Sequence, residues 1–276
     1  MLYQQLQLLN PIAFRRACGV KRETFLAMVS VLSPNLERHG KRGGQNRLSV
    51  AAQLLMVLYY WRHYRTQFDI GLEFGVSEAT VCRTIEKVEA SLVKSGRFRL
   101  PGKRQLQQAE ASWDVVVIDV TEVAIERSKK KQRAYYSGKH KRHTLKAQVV
   151  IDLKRGQFLA VATGKGRTHD LTLLKHSKVR FCHVLLCLAD KGYQGIAKVH
   201  TNSITPQKKP PRKRLSEAHK QTNRALARLR IKVEHGIRRL KRFRILSERY
   251  RNRRRNFTRR VHLLAGIINF ELCLMG

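Results

Sequence analysis

Three carboxylates stand where carboxylates are costly. Asp119 sits inside VVVIDVTEVAIE (115–126), an apolar run that reads as a buried strand. Asp190 ends a second such run, HVLLCLAD (183–190), just before Lys191 and Gly192. Glu234 lies in RLRIKVEHGIRRLKRF, part of a long basic helix. On that helix Leu226, Leu229, Val233 and Leu240 form an apolar stripe, with Arg230, Glu234 and Lys241 on a neighbouring face. Glu234 is therefore expected at the edge of the buried face, aimed at the sheet ends. Carboxylates drawn together repel by about 4 kcal/mol per pair at ~4 Å and an effective dielectric of ~20. Lysines can offset that repulsion, and so can divalent cations. Oxygen donors without a His/Cys cluster select Mg²⁺, with Mn²⁺ as its substitute. Two such ions about 3.5–4 Å apart activate a water or a 3′-hydroxyl and stabilise the leaving oxygen of a phosphodiester. For Asp119 taken alone, a turn cap or a lysine pair is the competing reading.

The background charge suits a phosphate-bearing substrate. The chain carries 57 Lys+Arg against 19 Asp+Glu, a formal net charge of +38 over 276 residues. Self-repulsion on that scale calls for a polyanionic partner, and nucleic acid fits better than a membrane surface. From Ser128 to Arg260 there are 39 Lys and Arg against six acids: Asp152, Asp170, Asp190, Glu217, Glu234 and Glu248. No apolar run approaches the ~20 residues that span a bilayer. The start, MLYQQLQLLNPIAF, lacks the basic segment and continuous apolar stretch of a signal peptide. The five cysteines are scattered and form no C-x-x-C, which suits a reduced cytoplasmic protein, nucleoid-associated when on DNA. His140 and His143 lack Cys partners and do not read as a zinc site.

Two regions are expected to position these groups. Residues 1–93 read as an all-helical DNA-binding domain. VKRETFLAMVSVLSPNL is a helix stopped by Pro34, KRGGQNR (41–47) a loop, and LSVAAQLLMVLYYWRHY a helix with Ser49 as N-cap. The stretch 66–92 reads as helix, turn, helix. Phe68, Ile70 and Leu72 begin the first apolar face, Gly75 makes the turn, and Ser77 caps the second helix. Val81, Ile85 and Val88 face inward, with Glu78, Thr80, Arg83 and Thr84 outward. That is the layout of a DNA-reading helix-turn-helix, and an ordinary helical hairpin is the alternative.

Residues 94–112 read as a linker, and 113–276 as a mixed sheet flanked by helices. The strands are 113–126, TLKAQVVIDL, GQFLAVATG, 183–190 and SITPQ. HDLTLLKHS, GYQGIAKVHT and about 216–243 are helices, and VHLLAGIINFELCLM closes the core. KKKQRAYYSGKHKRH (129–143) is a basic loop or hairpin, and KKPPRKR (208–214) a basic loop. Glu122 points away from Asp119 on the strand, Asp170 caps a helix, and Asp152 makes a turn. Cys182, Cys187, Trp61 and Trp113 are core residues, while Tyr135 and Tyr136 either stack on DNA or pack a hairpin.

Taken together, these segments resemble the insertion-sequence transposases of the DDE superfamily, nearest the fifth insertion-sequence family and related to Harbinger-type nucleases. The carriers are FRRACGVKRETF, 48–89, VVVIDVTE, GKGRTHDLTLL, LADKGYQG, RLRIKVEHGIRRLKRFRIL and RYRNRRRNFTRRVHLLAGIINF. The resemblance implies an RNase H-like fold in which Asp119, Asp190 and Glu234 are the catalytic, metal-binding triad, holding two Mg²⁺ ions. It implies binding of the element's terminal inverted repeats, cleavage at its ends and joining of the 3′ ends to target DNA by a dimer or larger assembly. Related enzymes carry a Tyr, Arg, Glu, Lys signature on the last catalytic helix. Arg230, Glu234 and Lys241 keep its last three members, and Ala227 stands in the Tyr position. Arg230 and Lys241 are then implied to contact DNA near the cut, joined on the phosphate backbone by Arg238, Lys139, Lys141 and Arg142, with Thr80 and Arg83 on the helix-turn-helix. The competing classes are a DNA-binding regulator or architectural protein without catalysis, and a domesticated metal-dependent DNA endonuclease. With many phosphates contacted, duplex affinity is predicted to fall steeply and linearly in log–log form with salt, as titrations at graded KCl would measure.

Overall fold

A computed structural model describes residues 2–37, 45–108, 113–209 and 214–274. The loop reading at 41–44, the end of the linker at 109–112 and Pro210–Lys213 lie outside the described residues. The chain divides into two compact units. One comprises Met1–Arg99, Lys241–Glu248 and Gly266–Gly276, and the other Leu100–Leu240 and Arg249–Ala265.

The first unit begins with six helices: α1 (Leu2–Gln7), α2 (Pro11–Cys18), α3 (Arg22–Leu36), α4 (Val50–His63), α5 (Gln67–Phe74) and α6 (Glu78–Lys94). Side-chain caps start four of them. Asn10, Ser49, Thr66 and Ser77 each accept a hydrogen bond from the backbone N–H three residues on. Pro34 does not stop α3, which runs two residues further to Leu36. In the last turn a proline forfeits one backbone bond, and Leu32 and Leu36 are buried on either side of it. Gly75 closes α5 with φ +66, a left-handed cap that costs glycine little.

Val81, Ile85 and Val88 are buried as their spacing requires. The indole N–H of Trp61 donates to the buried carboxylate of Glu89 at 3.2 Å, tying α4 to α6. Two expectations fail here. Phe68 and Leu72 are 59% and 69% exposed while Ile70 is fully buried, because α5 is too short to bury more than one stripe. Thr84 is buried between Val81 and Val88 rather than facing outward.

The second unit is built on a mixed sheet. Its strands are β1 (Val115–Ala124), β2 (Tyr136–Ser137), β3 (Arg142–Asp152), β4 (Phe158–Lys165), β5 (Leu186–Ala189) and β6 (Ser203–Ile204). β1, β3 and β4 form an antiparallel meander, turned at Arg155–Gly156 where Asp152 accepts from the N–H groups of Lys154 and Arg155. β5 and β6 add in parallel on the other side of β1, giving the order β4-β3-β1-β5-β6, with β2 paired to the start of β3. This mixed sheet flanked by helices is the RNase H-like arrangement the sequence predicts.

The helices of this region are α7 (Gln132–Tyr135), α8 (Asp170–Ser177), α9 (Glu217–Lys241) and α10 (Arg255–Cys273). Leu174 of α8 joins Val116, Ile118, Val150 and Tyr193 in the core on one face of the sheet. α9 lies against the other face. A Cβ on Gly236 would fall 2.3 Å from Ile151 Cδ1, so the helix backbone there rests directly on the Ile151 side chain. Leu226, Val233 and Leu240 are buried with it, but Leu229 is exposed, which narrows the expected stripe. The stretch after Asp190 is not one helix but two single turns, Lys191–Tyr193 and Ile196–Lys198, separated by Gln194–Gly195.

Cys18, Cys182 and Cys187 are buried and Cys82 and Cys273 exposed. Burial pushes the Cys18 thiol up to about 11 and that of Cys187 to about 12. Thiol titration of the native protein at pH 8 is predicted to register two fast groups, Cys82 and Cys273, and three that react only after denaturation.

Candidate active site

The parallel register of β1 and β5 decides where the first two acids meet. Ile118 pairs with Ala189, so the next residues, Asp119 within β1 and Asp190 just past the end of β5, come side by side. Each carboxylate folds back on its own strand. Asp119 Oδ1 accepts the Val120 N–H at 2.7 Å, and Asp190 Oδ1 accepts the Lys191 N–H at 2.6 Å. Arg230 reaches both from α9, with Nη2 3.7 Å from Asp119 Oδ2 and Nη1 3.1 Å from Asp190 Oδ1. The Arg230 Nε is buried without a hydrogen-bond partner among the described residues.

Burial dominates the electrostatics of Asp119 and pushes its carboxyl up to about 6, against the Val120 hydrogen bond and the Arg230 charge that pull it down. The neighbouring charges of Asp190 and Asp170 add to the rise. One guanidinium thus holds together two carboxylates that would otherwise repel, in the position a cation would favour.

The third acid of the expected triad does not join them. Glu234 is exposed on α9, one turn beyond Arg230. Among the described residues no group of three His, Cys, Asp or Glu side chains is placed to hold a metal ion. The donors that do converge, two carboxylates with hard oxygens already balanced by a cation, fit a divalent ion of the Mg²⁺ type.

A second polar cluster lies on the opposite face of the sheet. Glu122 and Lys146 are cross-strand partners on β1 and β3. Lys146, 8% exposed, places Nζ 2.7 Å from Asp170 Oδ1 and 3.8 Å from Glu122 Oε1. Thr144 donates to Glu122 Oε2 at 2.6 Å. Asp170 is therefore not the helix cap expected of it. His169 occupies the N-cap position, and the Asp170 carboxylate is drawn to Lys146 by the stronger charge–charge interaction. Two residues along β3, Gln148 accepts the hydroxyl of the fully buried Tyr193 at 3.2 Å. None of Lys146, Gln148 or Tyr193 was singled out from the sequence. The available signal was polar residues at alternate positions of an otherwise apolar strand, KAQVVID.

The expected DNA contacts divide between the units. Arg83 is exposed and Thr80 half-buried at the start of α6. Lys139, Lys141 and Arg142 are exposed around β2, and Arg238 and Lys241 on α9. Tyr135 lies under the Arg254 guanidinium at 4.3 Å with Lys165 at the end of β4 at 5.8 Å, so its ring already meets two cations of the chain itself. Tyr136 packs edge-on against His143.

With this geometry in view, comparison with known proteins is decisive. Residues 118–269 match the family described as DDE superfamily endonuclease, and residues 46–98 match the helix-turn-helix of DDE superfamily endonuclease. The chain belongs to the DDE superfamily. It is 50% identical over 261 residues, 95% of each chain, to a protein of Microchaete diplosiphon named "Probable transposase for insertion sequence element IS702". A relative from Streptomyces albus G, named for a transposase of insertion sequence element IS112, is 25% identical over 234 residues, 83% of this chain and 84% of its own length. This DDE protein therefore groups with insertion-sequence transposases, carrying a helix-turn-helix ahead of its endonuclease region. No helix among its described residues is long and apolar enough to cross a membrane.

The raised Asp119 carboxyl has a consequence for stability. A carboxyl whose folded pKa exceeds its unfolded value binds more protons when folded. Its cost is absent below the ordinary value of 3.8, grows as pH rises through about 6, and is complete above that. Two pK units correspond to about 3 kcal/mol. Asp119→Asn is predicted to raise the melting temperature of the metal-free protein by a few degrees at pH 8 and to leave it nearly unchanged at pH 4, by calorimetry at both values.

Proposed function

We propose that this protein binds the terminal inverted repeats of its own mobile element, cleaves phosphodiester bonds at the element's ends and joins the freed 3′ ends to target DNA. The observation that carries this reading is the Asp119–Asp190 pair, placed side by side and balanced by Arg230, in a DDE superfamily endonuclease. Asp119 and Asp190 would hold the divalent cation, and Glu234, one turn beyond Arg230 on α9, would complete the ligand set on moving toward them. When bound there, Mg²⁺, or Mn²⁺ in its place, would supply acidification of the attacking water or hydroxyl and charge neutralisation at the leaving oxygen.

The chain's own groups do the rest. Arg230 steadies the two aspartates before the cation arrives and then serves as a fork-shaped donor to phosphate oxygens at the cut. Arg238 and Lys241 hold the same backbone further along α9, and Lys139, Lys141 and Arg142 hold it at β2. Thr80 and Arg83 reach base edges and phosphates from α6, in the manner of a recognition helix. In the first reaction water adds to phosphorus and the 3′ oxygen of the element end leaves. In the second that 3′ oxygen attacks a target phosphorus and displaces the target's own 3′ oxygen. Pairing two ends calls for at least a dimer on DNA, and the place of action is the nucleoid.

The test is nicking of a labelled duplex carrying an element end, with Mg²⁺, Mn²⁺ or EDTA. Asp119→Ala, Asp190→Ala and Glu234→Ala are each predicted to lower metal-dependent nicking by roughly 10³-fold or more while retaining end binding. Nicking by all three at the wild-type rate would overturn the assignment.

A further inference from the structure

We infer that Asp170, held by Lys146, is a positioning residue that fixes the Asp190 loop against the sheet and so keeps Asp190 beside Asp119. The inference rests on the proposed role of that pair as cation ligands. The loop Asp190–Tyr193 is one tight turn, closed by the Tyr193 N–H donating to the Asp190 carbonyl at 2.9 Å. It is anchored from two sides by residues of a single strand. Tyr193 plunges into the core and donates to Gln148 on β3. Gly192 rests on Asp170, since a Cβ there would lie 2.5 Å from Oδ2 and 3.4 Å from Cγ of that residue.

Asp170 is in turn tied by Oδ1 to Lys146, two residues before Gln148 on the same face of β3. The two anchors therefore have a common base, one direct and one relayed through Asp170. A lysine as deeply buried as Lys146 requires a paired anion to be tolerated, and it has two, Asp170 and Glu122. A pair needed for packing alone could be apolar at lower cost. Here the outer oxygen of Asp170 lies against Gly192, in the loop that carries Asp190. Asp170 is paired with Lys146 and lies against Gly192, so it acts through the Asp190 loop rather than as a ligand of its own. Its charge nevertheless reaches both Asp119 and Tyr193, where it raises the pKa of each.

The experiment compares wild type, Asp170→Asn, Lys146→Met, Lys146→Arg and the double variant D170N/K146M as full chains without DNA. Amide hydrogen exchange and Mn²⁺ binding by calorimetry are the readouts. Exchange over residues 190–194 is expected to be roughly tenfold faster in Asp170→Asn and Lys146→Met, the loss of one charged hydrogen bond. β3 and α4 should be unchanged, Lys146→Arg should be close to wild type, and the double variant no faster than the singles. Mn²⁺ affinity should fall with the same ranking. Should Lys146→Met fail to fold, Gly192→Ala, which presses on Asp170 with the ion pair intact, is expected to loosen the same segment. Wild-type exchange over 190–194 in Asp170→Asn, or acceleration spread evenly over the chain, would overturn the inference. Asp119→Ala separates this from the cation reading. Wild-type Mn²⁺ affinity in Asp119→Ala would sink that reading, while loss of Mn²⁺ there alongside an unaltered Asp170→Asn would sink only the positioning role.

Discussion

Everything at this site depends on two like charges being held next to each other. The β1–β5 register sets Asp119, inside β1, beside Asp190, just past the end of β5, and the backbone N–H groups of Val120 and Lys191 relieve only part of the repulsion. Arg230 supplies the rest from a different element, α9, whose backbone at Gly236 is seated on the Ile151 side chain of β3. The site is therefore a compromise among a strand pair that brings charge together, a helix that balances it, and a sheet that must keep both in register.

The two faces of the sheet divide this labour. One carries Asp119 under α9. The other carries Glu122, Lys146 and Gln148 under α8 and the Lys191–Tyr193 turn, a polar set inserted into an otherwise apolar surface. Buried polar groups are costly unless each finds a partner, and most of these do. The exceptions are Gln148 Nε2 on this face and Arg230 Nε beside Asp119 and Asp190 on the other.

The helical unit follows a simpler logic. Its helix starts are capped by Asn, Ser and Thr side chains and its turn by a left-handed glycine, all local devices. Arg83 is left in solvent at the start of α6 while Val81, Ile85 and Val88 secure the helix from behind. Net charge supplies general attraction to DNA, and the helix-turn-helix supplies orientation.

Local features of this protein were determined by its sequence alone. The caps at Ser49 and Ser77, the turn at Gly75 and the long basic helix follow from residue type and spacing, because hydrogen bonds between near neighbours create them, and the strands around Asp119 and Asp190 were legible as apolar runs. Tertiary structure decided what each face meets. It left Phe68, Leu72 and Leu229 in solvent and Thr84 in the core, since periodicity marks a stripe without fixing how much of it a neighbour covers. It turned Asp170 from a helix cap into the partner of Lys146, 24 residues away, and drew Arg230 rather than Glu234 to the aspartates. Those outcomes depend on strand register and on how closely a helix approaches a sheet, and both are set by packing between segments far apart in the chain.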